Sequence, residues 1–163
     1  MVCSFTGHRQ IEAEKREMLT ELLGRAIGYA YTEGCRTFIT GGAIGFDTLA
    51  AKEVIRFRML HRDVKLVLAL PCMEQDAKWN SVQKNSYNFT LGEADEVIYT
   101  SEAYTKTCMA IRNRYLAESA DILISYLGKA NSGSAQTVRM AEKLVKRIYN
   151  LYPALHKADN GGK

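Results

Sequence analysis

Arg36-Thr37-Phe38-Ile39-Thr40-Gly41-Gly42-Ala43-Ile44-Gly45-Phe46-Asp47 is the stretch that decides the fold of this chain. Its first five residues are rich in β-branched and aromatic side chains and read as a short strand. Gly41, Gly42 and Gly45 then turn the chain. After the turn, Phe46, Leu49, Ala50, Val54 and Phe57 recur at helical spacing on one face. Strand, glycine turn and helix in that order is a geometry that receives phosphate. Glycine lets the backbone bend sharply and approach an anion, and the helix N-terminus offers unpaired N–H groups at the positive end of its dipole. The same turn also serves as a plain connector. Its spacing, Gly-Gly-x-x-Gly, is not the dinucleotide fingerprint, and no Gly-Lys-Ser/Thr follows to make a P-loop.

A second junction of the same kind opens the chain. Val2-Cys3-Ser4-Phe5-Thr6 reads as a buried strand, Gly7-His8-Arg9 follows it, and Met18, Leu19, Leu22, Leu23, Ala26, Ile27 and Ala30 then keep helical spacing. Two such junctions belong at one edge of a parallel sheet, the edge at which open α/β sheets bind ligands. Downstream, the apolar run Val64 to Leu70 ends at Pro71, as a buried parallel strand does. The polar segment Met73 to Asn88, with Trp79, is expected to hold a short helix and an irregular loop. Glu96–Thr100 and Ile122–Tyr126 read as strands, Met109–Ser119 and Thr137–Arg147 as helices, and Ile148–Leu151 as a last short strand. Gly128 to Ser134 is a loop of small residues. This alternation predicts one α/β domain over residues 1–155, a Rossmann-like, doubly wound and mostly parallel sheet, with 156–163 as a disordered tail.

Composition narrows the function without naming it. With 47% hydrophobic and 25% charged residues among 163, the chain resembles an ordinary globular domain. A net charge of +4 suits a small anionic ligand, and no basic stripe marks a dedicated nucleic-acid binder. Cys3, Cys35, Cys72 and Cys108 form no C-x-x-C pair, and His8, His61 and His156 are scattered, so no metal is expected. No cofactor is expected either. No apolar run is long enough to span a membrane, and no signal peptide precedes the first strand, so the expected setting is the cytoplasm.

Several side chains could carry chemistry, each with an ordinary alternative. Asp47, in the first turn of its helix, either caps N–H groups or accepts from a ribose hydroxyl. Arg9, at a strand end, either grips phosphate with two donors or is a surface arginine. His8 is expected to line the pocket without chemistry. Arg112 and Asn113 sit on the helix before the fifth strand. Arg114, about 100° from each neighbour round the helix, cannot face the same pocket squarely as well, and Tyr115 and Leu116 are better core candidates. Ser132-Gly133-Ser134 is either a third anion site at a helix start or a flexible capped loop.

Taken together, these residues resemble the SLOG superfamily, which unites the Smf/DprA and Lonely Guy (LOG) proteins, and above all its YpsA-like branch. The likeness runs through Thr6-Gly7-His8-Arg9, the turn from Gly41 to Asp47 including Phe46, then Pro71, Gln75 and Trp79, Tyr104, Met109, Arg112-Asn113, and Ser132 to Val138. It implies a Rossmann-like fold with a pocket for a nucleotide or nucleotide derivative, and a sensor or effector role more than turnover. It also implies a homodimer. Gly7, His8, Arg9, Gly41, Gly42, Gly45, Phe46, Asp47, Arg112, Asn113, Gly133 and Ser134 are thereby the expected ligand-binding set. The expected partner is a phosphate-bearing, nucleotide-like small molecule; neither a membrane nor nucleic acid is expected.

The LOG branch cleaves the N-glycosidic bond of nucleoside 5′-monophosphates. Met109-Ala110-Ile111-Arg112-Asn113 matches its Met-x-x-Arg-Lys segment except at Asn113, and Ser132 to Thr137 lies over the start of its glycine-rich segment. Met140 stands where that segment ends in glutamate, and a thioether cannot move a proton. A phosphoribohydrolase using Asp47 or Glu118 instead is the second expectation, and a DprA-like binder of single-stranded DNA the third.

Overall fold

Six strands, all parallel, carry the fold in the computed structural model, which describes residues 1–157. They are β1 (Val2–Gly7), β2 (Thr37–Thr40), β3 (Lys65–Leu70), β4 (Glu96–Tyr99), β5 (Ile122–Tyr126) and β6 (Arg147–Asn150). Between them run α1 (Arg16–Thr32), α2 (Phe46–Arg58), α3 (Ser81–Glu93), α4 (Cys108–Ser119) and α5 (Gly133–Lys143), and the short α6 (Tyr152–Leu155) follows β6. The sheet order is β4-β3-β2-β1-β5-β6. The chain therefore winds outward from β1 to β4, then crosses back through α4 to place β5 on the other side of β1. This is a Rossmann-like α/β fold, and its switch point lies between β1 and β5.

Alternation along each strand divides the core between two faces. Phe5, Phe38, Leu66, Leu68, Leu70, Ile122 and Ile124 point to one face, against Leu19, Leu23 and Ile27 of α1, Leu49, Ala50 and Val54 of α2 and Tyr87 of α3. Ile39, Val67 and Ala69 point to the other, against Leu116 of α4. Leu123 meets Ala117 of α4 with Val138 and Ala141 of α5. Each large side chain so buried contributes about 1.5–3 kcal/mol. Near the switch point the α4/α5 face turns polar: Ser4, Thr6 and Ser125 are buried there. Thr6 and Ser125 are register partners.

Beyond one-residue shifts at the ends of β1 to β4, β6 and α4, three regions differ from the sequence reading. The segment after β3 contains a full helix, α3, not a short one. Its start is fixed by a capping box in which Asn80 Oδ1 accepts from Gln83 N–H at 2.9 Å and Gln83 Oε1 from Asn80 N–H at 3.0 Å. The helix escaped the apolar pattern because it buries only Tyr87 and Thr90 while Val82 and Phe89 stay exposed. The last long helix begins at Gly133 and stops at Lys143, before the expected Arg147. Val145 adopts a left-handed φ of 57°, which breaks the helix and returns the chain to β6. Finally, His156, assigned to the tail, is buried beside α6: its ring stacks on Tyr152 at 3.7 Å, and its Nε2 lies 3.1 Å from Tyr126 Oη. Residues 158–163 of that tail lie outside the described residues.

Candidate functional site

A cleft of about 580 Å³ opens at the C-terminal edge of the sheet, at the switch point. The end of β1 and the loop after it contribute Thr6, Gly7, His8, Arg9 and Gln10. The turn into α2 contributes Ala43 and Asp47. Met109, Arg112, Asn113 and Leu116 come from α4, and Lys129 and residues 131–134 from the loop into α5. Of the expected set, Gly7, His8, Arg9, Asp47, Arg112, Asn113, Gly133 and Ser134 are thus brought together. Gly41, Gly42, Gly45 and Phe46 do not line this cleft; Gly45 lines its neighbour across the β1–α1 loop.

The glycine turn before α2 is packed by the protein itself. A Cβ on Gly41 would collide with the Arg112 guanidinium and lie 2.9 Å from Asp47 Oδ2, and one on Gly42 would lie 2.5 Å from Leu70 Cδ2. Gly45 has φ 81° and passes so close to the Arg9 carbonyl that no side chain fits. Phe46 N–H, the first of α2, donates to the His8 carbonyl at 3.0 Å, and the Phe46 side chain is fully buried. Carbonyl oxygens of His8 and Arg9 therefore stand where a phosphate would approach α2, and the expected cradle of Gly41, Gly42 and Gly45 is filled from within.

Asp47 and Arg112 form the floor of the cleft, both buried. Asp47 does not cap its own helix; its Oδ2 accepts from Ala43 N–H at 3.2 Å. Burial pushes its carboxyl up to about 6, against the opposing pull of Arg112, Ala43 N–H and Arg9. Arg112 donates from Nη1 to the Gly41 carbonyl at 2.5 Å and from Nε to Asn113 Oδ1 at 3.0 Å, and its Nη2 lies 3.8 Å from Met109 Sδ. Burial lowers its pKa, partly offset by Asp47. Asn113 Nδ2 in turn donates to the Gly133 carbonyl at 3.4 Å, tying α4 to the start of α5. Arg112 thus reaches the cleft, with most of its donors already engaged. Arg114 is exposed and Leu116 is core, as their helical positions require.

The opposite wall is open. Ser132 caps α5 by accepting from Ala135 N–H at 3.1 Å, while Gly133 and Ser134 N–H donate to no described residue. Ser134 Oγ donates to the Gly7 carbonyl at 2.7 Å, pinning α5 to the end of β1. Arg9 and Lys129 are exposed, and neither side chain hydrogen-bonds a described residue. Lys129 escaped the sequence reading because a lone lysine in a loop carries no signal until the topology places it at the switch point. His8 is a pin: its Nε2 accepts from Gly128 N–H at 2.7 Å, and its ring meets Tyr126 and Tyr152 edge-on. Burial lowers its pKa, with help from Lys129 and His156, which keeps Nε2 an acceptor.

The pattern of the YspA SLOG family matches residues 3–153. The chain belongs to that family. Relatives include the SPbeta prophage-derived protein YoqJ of Bacillus subtilis, 29% identical over an alignment of 130 residues, with 71% of this chain and 76% of that one covered. A UPF0398 protein of Bacillus thuringiensis is 25% identical over 138 residues, 83% of this chain and 75% of its own. Among solved structures the fold is shared with DNA processing protein A of Helicobacter pylori, a single-stranded-DNA-binding protein, at TM-score 0.62 and 19% identity over 91% of this chain. It is also shared with the Streptococcus pneumoniae protein, at 0.64 and 17% over 98%. This chain spans 63% and 56% of those two longer chains.

Within this SLOG domain the residues weighed as catalytic part company. Glu118 is exposed near the C-terminal end of α4, and its carbonyl accepts from Lys146 Nζ at 3.2 Å, so it belongs to the opposite edge of the sheet. Met140 packs against the cluster of Ala117, Leu123, Val138 and Ala141 and does not line the cleft. Among the described residues lining the cleft, Asp47 is the one carboxylate. Among the described residues, no group of three or more His, Cys, Asp or Glu is placed to hold a metal ion, and no helix is long and apolar enough to cross a membrane.

Proposed function

We propose that this protein binds a nucleotide or nucleotide derivative at the switch-point cleft and acts as a sensor or effector. One observation carries the reading: Arg9 and Lys129, exposed and without a side-chain hydrogen bond to any described residue, line one cleft with Gly133 and Ser134, whose N–H groups have no described partner. A phosphate there gains two charges and a helix N-terminus at once. Thr6, Asn113 and Asp47 offer polar groups deeper in for sugar or base. The four cysteines are free thiols, which suits a cytoplasmic protein. A homodimer is part of the same reading, and light scattering checks it.

Calorimetry with AMP and adenosine tests the reading. AMP is expected to bind and adenosine to bind at least tenfold more weakly. Arg9→Ala is expected to cost about 1.5–3 kcal/mol of AMP affinity, the range for a charged hydrogen bond, with no change in melting temperature. Equal binding of AMP and adenosine, or an Arg9→Ala variant that binds as well as the parent, overturns it. Native mass spectrometry of the purified protein identifies any nucleotide carried through.

A second reading rests on Asp47, whose raised pKa suits a general acid, and makes the protein a nucleoside-monophosphate hydrolase. Glycosidic cleavage ordinarily employs two carboxylates, one on each side of the bond, and this cleft supplies one. Binding without turnover is therefore the leading reading. Chromatography of AMP incubations decides: free adenine that vanishes in Asp47→Asn establishes the hydrolase.

A further inference from the structure

Across the β1–α1 loop from the switch-point cleft lies a second cleft, of about 650 Å³, walled by that loop, α2 and α3. The two share His8, Arg9, Gln10 and Lys129, so the same cations border both. The second cleft adds Arg16 and Lys52 against one acid, Glu12. Arg16 is exposed and has no acidic partner among the described residues. Lys52 is half-buried, and its ammonium donates to Ser86 Oγ at 3.1 Å, a hydroxyl where a buried lysine ordinarily has a carboxylate. Ile11, Ile44 and Val82 form an apolar wall, and Val82 is 73% exposed.

Each cleft therefore combines cations with apolar side chains: Arg9 and Lys129 line both, with Ala43 and Met109 in the first and Ile11, Ile44 and Val82 in the second. Each is also large enough for a ligand of its own, since small-molecule pockets run to about 300–1,000 Å³. We infer that the two clefts are halves of one site and that the ligand is a dinucleotide. One nucleoside lies in each cleft, and Arg9 and Lys129 meet the phosphate linkage between them. Arg16 and Lys52 hold the phosphate or sugar oxygens of the second unit. This rests on the nucleotide reading above and sharpens its ligand class. The linkage could be a phosphodiester or a pyrophosphate; both place negative charge between two nucleosides.

Calorimetry on the full chain separates these cases, using AMP, the phosphodiester dinucleotide pApA, the pyrophosphate-linked diadenosine diphosphate and decathymidylate. At least one dinucleotide is expected to bind tenfold or more tighter than AMP, and the better of the two identifies the linkage. In the double variant Arg16→Ala/Lys52→Ala this advantage is expected to fall to within about threefold, with AMP affinity unchanged. Both side chains reach the surface, and an unchanged melting temperature confirms the variant's fold. AMP binding with no dinucleotide advantage, or an advantage that survives the double substitution, overturns the inference and leaves the nucleotide reading standing. Failure of AMP and both dinucleotides to bind overturns both. Decathymidylate binding tighter than either dinucleotide would replace the two-unit ligand by a nucleic-acid strand.

Discussion

At the entry to α2 the chain's own atoms fill the space its glycines leave; at the entry to α5 they do not. Gly41 is packed by Arg112 and Asp47, Gly42 by Leu70, and Gly45 by the backbone of Arg9, whereas a Cβ on Gly133 would meet only Asn113 Nδ2, at 3.4 Å. The first helical N–H of α2 is bonded to the His8 carbonyl, while the first two of α5 have no described partner. A glycine in a strand-to-helix turn reports close approach, and the approaching group can be ligand or protein. Here the turn richer in glycine is the architectural one. It fixes the cleft floor, and the plainer turn faces solvent with its donors unspent.

The hardest way to break this contrast is Arg112→Ala. If Arg112 belongs to the closed region, its loss leaves Asp47 buried without its cation and the Gly41 carbonyl without its donor. The expected cost is about 3–5 kcal/mol of stability in chemical denaturation. Unchanged stability with lost nucleotide affinity would move Arg112 into the open region.

Asp47 gives the closed region a pH signature. Its folded pKa is about 6 against an ordinary 3.8, so between those values the folded chain holds a proton that the unfolded chain has released. Stability must then fall as pH rises from about 4 to 6 and level off above, by about 3 kcal/mol for a shift near two units. His8 acts in the opposite sense: its pKa is lowered from 6.5, so its contribution is lost as pH falls below about that value. Asp47→Asn removes the first effect and keeps the second. The stability difference between variant and parent should therefore shift in the variant's favour across pH 4 to 6. A flat difference would mean that solvent reaches Asp47.

Glycine substitutions read the same contrast more gently. Gly45→Ala places a side chain at φ 81° against the Arg9 carbonyl, and about 2–3 kcal/mol should be lost. Gly133→Ala should change stability by less than about 0.5 kcal/mol, because the neighbouring Asn113 amide sits at ordinary contact distance. Equal losses at the two positions would erase the distinction between packed and open turns.

This contrast also marks where sequence ceases to inform. Strand positions were legible because buried parallel strands are mostly apolar: Ile122–Tyr126 could be bounded to the residue. That Gly7, Arg9 and Ser134 share one edge followed from strand–helix alternation, whereas Asp47 and Arg112 entered the expected set through the family resemblance. Helix α3 was missed because its start is set by a polar capping box and its buried face is only Tyr87 and Thr90. That Gly41, Gly42 and Gly45 serve packing was hidden, because the groups filling their space, Arg112 and Leu70, come from distant parts of the chain. Lys129 gains its place beside Arg9 only through the crossover that sets β5 next to β1.

The smallest expected effect probes the open turn. Ser132 caps it: the hydroxyl accepts from Ala135 N–H at 3.1 Å and helps hold the first turn of α5 in place. Ser132→Ala should therefore cost about 1 kcal/mol of stability, the usual loss for an N-cap. The N–H groups offered to a phosphate are those of Gly133 and Ser134, and the substitution leaves both present. AMP affinity should accordingly change by less than about threefold, under the 1.4 kcal/mol that makes a factor of ten. Melting curves and calorimetry on one variant give both numbers. A loss of affinity as large as the loss of stability would make the Ser132 hydroxyl a ligand contact, and the open region would then extend one residue back, through its own cap.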